Sequence, residues 1–166
     1  MTQTPINQDT INAAVWSACD TFRGTVDPSI YKDYVLTMLF LKYISDVWQD
    51  HYEVYAREHG DHPELITELL KNERFVLPPS ANFYALHAAR HQPGNGERID
   101  KALHAIEETN ITKLRDVFQD ISFNSTKLGD EAQKNDILRH LLEDFAKPEL
   151  NLRPSRIGLL DVIGNA

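Results

Sequence analysis

The sequence predicts an all-α fold: a multi-helix bundle around one long buried central helix. Three observations carry this expectation. Apolar residues recur at the three- and four-residue intervals of amphipathic helices through most of the 166-residue chain. The seven glycines and eight prolines lie mostly between those periodic stretches, which leaves few turns and long elements. Residues 34–48, YVLTMLFLKYISDVW, are apolar on nearly every face, as befits a helix at the centre of a bundle.

In chain order, the first helix starts after Asp9 or Thr10, either of which can cap it. Ile11, Ala14, Val15, Ala18, Cys19 and Phe22 form its apolar face, and Gly24 stops it in the C′ position. Asp27 then caps a second helix, with Pro28 suited to its first turn. A membrane span would need about 20 predominantly apolar residues and would not hold Lys42 at its middle. A buried strand is excluded because the pattern continues as a polar helix through Asp50, Glu53, Arg57 and Glu58, with no turn signal before Gly60. One helix over 29–59 results.

Asp61, His62 and Pro63 open a shorter helix with Leu65, Ile66, Leu69 and Leu70 on one face. Phe75, Val76 and Leu77 run extended into Pro78 and Pro79, and Ser80 caps a helix carrying Phe83, Tyr84, Leu86 and His87. Residues 92–96, QPGNG, give the strongest loop signal in the chain. Ile99, Ala102, Leu103, Ile106 and Glu107 are helical, ending near Asn110; Leu114, Val117 and Phe118 make a short amphipathic piece, and 121–124 is irregular. A last helix covers 131–145, with Ile137, Leu138, Leu141, Leu142 and Phe145 inward, closed by Lys147 and Pro148. The stretch 151–166 carries Pro154 and then Ile157, Leu159, Leu160, Val162 and Ile163, which call for an apolar partner. There is no internal repeat, low-complexity tract or heptad run.

Hydrophobic residues make up 42% and charged residues 25%, the balance of a globular domain of a size that folds without disulfide or metal. The net charge of −8 argues against a broadly basic nucleic-acid coat protein and leaves room for a local basic stripe. A single cysteine, Cys19, forms no internal disulfide, which fits a reducing cytoplasm, and polar residues 1–9 do not form a secretory signal.

No self-contained catalytic, cofactor or metal site is visible. His87 and His91 stand four apart, as zinc-binding pairs do, but Ala88 follows the first histidine where the metalloprotease motif has Glu; His59 and His62 have no further ligand nearby in sequence. Gly94, Asn95 and Gly96 precede a helix, the right side for an anion, yet follow no strand and contain no Lys-Ser/Thr pair. Cys19 reads as a small core residue, and the pairs Glu107-Glu108 and Glu143-Asp144 as solvated helix surface.

Four stretches carry a family pattern. The first has Trp16, then Phe22, Arg23 and Gly24 with Asp27, then Tyr31-Lys32-Asp33-Tyr34, then Leu39-Phe40-Leu41-Lys42-Tyr43-Ile44-Ser45-Asp46. The second is Phe75-Val76-Leu77-Pro78-Pro79, followed by Asn82-Phe83 where a tryptophan is usual. The third runs from Ile99-Asp100-Lys101-Ala102 through Ile106, Glu107 and Asn110 to Val117-Phe118 and Phe123-Asn124, and the fourth is Asp161-Val162-Ile163-Gly164-Asn165-Ala166. Together, over nearly the whole chain, they resemble the N-terminal helical domain of the modification (HsdM) subunit of type I restriction-modification systems.

The resemblance implies a parent that is an S-adenosylmethionine-dependent, adenine-specific DNA methyltransferase. Its catalytic domain carries a Gly-rich cofactor loop and an Asn-Pro-Pro-Phe motif that holds the flipped adenine. Neither is present here, since Leu77-Pro78-Pro79-Ser80 lacks both the asparagine and the aromatic. The resemblance therefore implies a non-catalytic helical domain over 1–150 and, over 151–166, the start of the connection to a catalytic domain that the chain does not include. It also implies a cytoplasmic, membrane-free assembly with DNA, a second modification subunit, a specificity subunit and a restriction subunit. Arg23, Lys32, Lys42, Lys113 and Arg115 are the candidate phosphate contacts. Each also reads as a solvated charge, and Lys42 as a lysine snorkelling from the edge of the buried helix. A module of pure protein assembly, which the acidic net charge favours, is the alternative.

Overall fold

The computed structural model describes residues 8–20, 22, 28–73, 75–78, 80–118, 120–150 and 152. Every regular element among them is helical: α1 (Gln8–Asp20), α2 (Pro28–His59), α3 (Pro63–Leu70), α4 (Phe83–Ala88), α5 (Asn95–Thr109), α6 (Ile111–Leu114) and α7 (Glu131–Phe145), with 3₁₀ turns at Thr126–Leu128 and Pro148–Leu150. The fold is all-α. None of these helices is long and apolar enough to cross a membrane. Gly24, Asp27 and the apolar residues of 153–166 lie outside the described residues.

The bundle closes around α2 and α7. α7 packs against α1, α2, α4 and α5, and α2 against α1, α3, α4 and α7. On α7, Ile137, Leu138, Leu141, Leu142 and Phe145 are all buried, as their spacing predicts. On α2 burial is confined to one half. Tyr34, Val35, Met38, Leu39, Leu41 and Ile44 are buried, whereas Leu36 is exposed and Phe40, Tyr43 and Trp48 are only partly covered. The expectation of burial on nearly every face is too broad, because the neighbours of α2 leave a strip open. Beyond Asp50 the helix carries exposed Tyr52 and Val54.

Several local expectations shift for identifiable reasons. α1 begins at Gln8, so Asp9 lies in its first turn, where its charge favours the positive end of the helix. In α3 only Ile66 and Leu70 are buried; Leu65 is exposed, the inward stripe of so short a helix being one i,i+4 pair wide. Asn82, not Ser80, caps α4: its extended backbone lets the side chain accept the Ala85 N–H at 2.9 Å, while the Ala81 N–H closes a turn on the Pro78 carbonyl at 3.0 Å. The glycine-rich loop is shorter than expected, because Asn95 and Gly96 already belong to α5. α6 stops at Leu114, and Asp116 then takes a left-handed conformation (φ 63°), which leaves Val117 exposed and Phe118 buried. The expected amphipathic piece over Leu114, Val117 and Phe118 is thus split by a turn.

Two contacts between distant segments fix this layout. Asn110 accepts the Val76 N–H (2.8 Å) and donates to the Val76 carbonyl (2.7 Å), pairing the extended 75–78 segment as a strand neighbour would. Gly96 lies so close to the 122–124 turn that a Cβ would collide with the Phe123 carbonyl oxygen, so only glycine lets α5 approach here.

Candidate nucleic-acid interface

The structure describes four of the five candidate phosphate contacts and gives them different surroundings. Lys32 is exposed near the start of α2. Lys113 and Arg115 are exposed at the end of α6, where the Arg115 N–H closes the helix onto the Ile111 carbonyl at 3.1 Å. Arg23 lies outside the described residues. Lys42 is 3% exposed. Its ammonium is 2.5 Å from the Asp46 carboxylate and 2.8 Å from the Leu150 carbonyl, and it sits 5.4 Å from the ring centres of both Phe83 and Tyr84. This corrects both readings of Lys42: the charge neither reaches a phosphate nor snorkels to water, because a buried partner holds it inside.

An aromatic cluster lies against Lys113. Phe40 of α2 meets Phe75 edge-on (5.9 Å, 90°) and Phe118 at a tilt (6.1 Å, 49°), and the Lys113 ammonium lies 5.7 Å from the Phe75 ring centre. Lys113 therefore stands beside the middle of α2. Lys32 is eight residues before Phe40 on that helix, about 12 Å along its axis. Exposed Ile111 and Val117 flank the α6 cations in sequence and make their surroundings partly apolar.

The neighbouring groove is of the opposite sign. Asp100, Glu107, Glu108 and Asp116 outnumber Lys101 along an open depression beside α5, with Phe118 and Ile121 at its apolar wall. Asp100 is engaged in folding: its carboxylate accepts from the Phe123 N–H (2.7 Å), the Ser122 hydroxyl (2.7 Å) and the Asn124 N–H (3.2 Å). A phosphate backbone lying on Lys113 and Arg115 would be repelled on the side of this groove.

The helix start at Gly94, Asn95 and Gly96 is closed by the protein itself. Gly94 is left-handed (φ 83°), the Asn95 N–H donates to Asn135 at 3.0 Å, and the 122–124 turn covers Gly96. Arg98 spans the same corner, donating to the carbonyls of Ala89 (2.8 Å), Gln92 (2.9 Å) and Pro93 (2.5 Å). No room is left for a nucleotide or a free phosphate against these N–H groups. His87 and His91 do not share a helix face, since α4 ends at Ala88. Instead the His87 ring stacks on Phe83 (6.0 Å, 23°), and burial followed by the Arg90 charge pushes its pKa down. Among the described residues no group of three or more His, Cys, Asp or Glu could hold a metal.

Comparisons with known proteins converge. The sequence profile of the family described as HsdM N-terminal domain matches residues 11–145. The methylase subunit of the type I restriction enzyme MpnII from Mycoplasma pneumoniae is 27% identical over 155 residues, covering 86% of this chain and 26% of that protein. A type I restriction-modification methyltransferase subunit from Streptococcus thermophilus shares the fold, with a TM-score of 0.66 and 22% identity over 84% of this chain and 34% of that one. The chain thus spans about a quarter to a third of the length of these relatives.

Proposed function

Because the chain belongs to the family of HsdM N-terminal domains, we propose that it serves as the accessory helical domain of a type I restriction-modification methylase subunit, engaging DNA and neighbouring subunits without doing the chemistry itself. In this reading 1–150 is the helical domain and 151–166 begins the connection to a methyltransferase domain. That domain would bind S-adenosylmethionine and the target adenine. The closed helix start at Gly94–Gly96 supports placing the cofactor there and not here. The assembly would be cytoplasmic and contain a second modification subunit, a specificity subunit and a restriction subunit.

The observation that supports DNA engagement is the exposed pair Lys113 and Arg115, two residues apart, with Lys113 lying against the Phe40–Phe75–Phe118 cluster. Lys32 is a second candidate on α2, and Arg23 a further one by sequence alone. Each phosphate neutralised contributes about −0.9 to the slope of log affinity against log salt. Replacing Lys113 and Arg115 together by Ala is expected to weaken DNA binding by the assembled complex and flatten its salt slope by up to about two units, with target choice unchanged. The measurement is DNA affinity across a salt series, with assembly followed by gel filtration. Failure to assemble, with an unaltered salt slope in whatever complex forms, supports the alternative of a protein-assembly module. The acidic groove along α5 and exposed Ile111 and Val117 are what favour that second reading.

A further inference from the structure

We infer that the buried Lys42–Asp46 pair, with the Tyr84 hydroxyl, forms a clasp that fixes the register in which the segment at Leu150 and Leu152 docks against α2. Lys42 and Asp46 lie one turn apart on α2, 3% and 0% exposed, with their charged groups 2.5 Å apart. Each also grips the backbone more than a hundred residues further on. The Lys42 ammonium donates to the Leu150 carbonyl at 2.8 Å, and the Asp46 carboxylate accepts the Leu152 N–H at 2.8 Å. The second carboxylate oxygen accepts the Tyr84 hydroxyl from α4, and the Phe83 and Tyr84 rings flank the ammonium. Leu150 and Leu152 are themselves fully buried.

Stability alone does not call for this arrangement. A buried ion pair is often replaced by apolar side chains of similar volume at no loss, because the desolvation of two charges offsets their attraction. What an apolar surface cannot do is distinguish a carbonyl from an N–H. The pair presents one donor and one acceptor to two backbone groups of opposite kind, so a slip of the segment by one residue would leave a buried charge facing the wrong partner. The clasp therefore selects a single register for the segment at Leu150 and Leu152. That the segment so held precedes the connection to a methyltransferase domain rests on the proposed function; the clasp itself is a property of this chain and is tested on it alone.

The test is amide hydrogen exchange followed by NMR on the 166-residue chain, in the double variant Lys42→Met/Asp46→Leu and in Tyr84→Phe. The double variant removes both charges and so leaves none unpaired. Its α5 and α7 amides are expected to exchange as in the parent, and the Leu152 amide at least about tenfold faster. Tyr84→Phe removes one hydroxyl donor and is expected to speed Leu152 exchange by a smaller factor, again with α7 unchanged. Unaltered protection at Leu152 in the folded double variant overturns the inference, because burial of Leu150 and Leu152 would then suffice to hold the segment. Uniformly faster exchange in every helix overturns it too, since the pair would be one more core contact. If the double variant does not fold, Tyr84→Phe decides: faster exchange confined to Leu152 supports the clasp, and none overturns it.

Discussion

At the scale of single residues, environment overrides residue type. Lys42 and Lys113 have the same side chain, yet one is sealed against Asp46 and the other stands at the surface beside Phe75. His87 shows the same effect in its titration. Burial first, and the Arg90 charge second, lower its pKa in the folded chain, with Glu143 opposing them. The unfolded chain keeps the ordinary histidine value of about 6.5. Above that pH both states are neutral at this position and its contribution is fully present. As the pH falls through about 6.5 the unfolded state takes up a proton that the folded state does not, so stability declines until the lowered folded pKa is passed. Urea unfolding at pH 7.5 and pH 5 is expected to show a larger loss of stability for the parent than for His87→Gln, all other titrating groups being common to both proteins. Equal losses would mean that the imidazole titrates as freely in the fold as outside it.

At the scale of elements, α7 is fully legible in the sequence and α6 is not, and the contrast has a physical cause. α7 has an unbroken stripe of five apolar residues, all buried, and a start that the chain itself encodes. Asp130 accepts the Gln133 N–H at 2.8 Å while the Gln133 side chain accepts the Asp130 N–H at 3.0 Å, a reciprocal cap over the first turn. Asp130→Ala is expected to cost about 1 kcal/mol, read as a shift of the urea midpoint without change of slope; a change below about 0.2 kcal/mol would show that tertiary packing alone sets the start of α7. In α6 the apolar spacing of Leu114, Val117 and Phe118 suggests a continuing helix, but the left-handed turn at Asp116 breaks it; aspartate tolerates that conformation better than most residues, yet its presence alone does not require the turn. The Lys42–Asp46 pair lies between these cases. Its two opposite charges stand four apart in an otherwise apolar run, a spacing plain in the sequence, whereas their backbone partners, Leu150 and Leu152, cannot be found without the fold. Of the candidate interface, the residue types are legible and their accessibility is not.

At the scale of the whole molecule, charge decides what the chain can do unaided. The net charge is −8, and many of the described cations already face acids. Arg139 lies 2.6 Å from Asp136 and 2.9 Å from Glu143, Lys101 3.0 Å from Glu97, Lys71 2.8 Å from Glu68, and Lys134 2.9 Å from Glu131. Apart from Lys134, which is buried, these are surface pairs that contribute little to stability, but they cancel the field that a phosphate backbone would meet. The proposed interface is the exposed corner of Lys113 and Arg115 next to an acidic groove, with exposed Lys32 along α2. One such patch neutralises few phosphates, so the 166-residue chain alone is expected to bind duplex DNA weakly, without sequence preference, and with a salt slope no steeper than about −3. Two copies held in an assembly would present two patches to one duplex, and the second contact would form at an effective concentration set by the first, which raises affinity without any new contact. Fluorescence anisotropy of labelled duplexes across a salt series from about 50 to about 200 mM checks this, for the isolated chain and for the assembly on the same DNA. Tight or sequence-selective binding by the isolated chain would require a reading surface other than the α6 corner. Binding by the assembly that is no tighter than that of the chain alone would place DNA engagement outside this domain altogether.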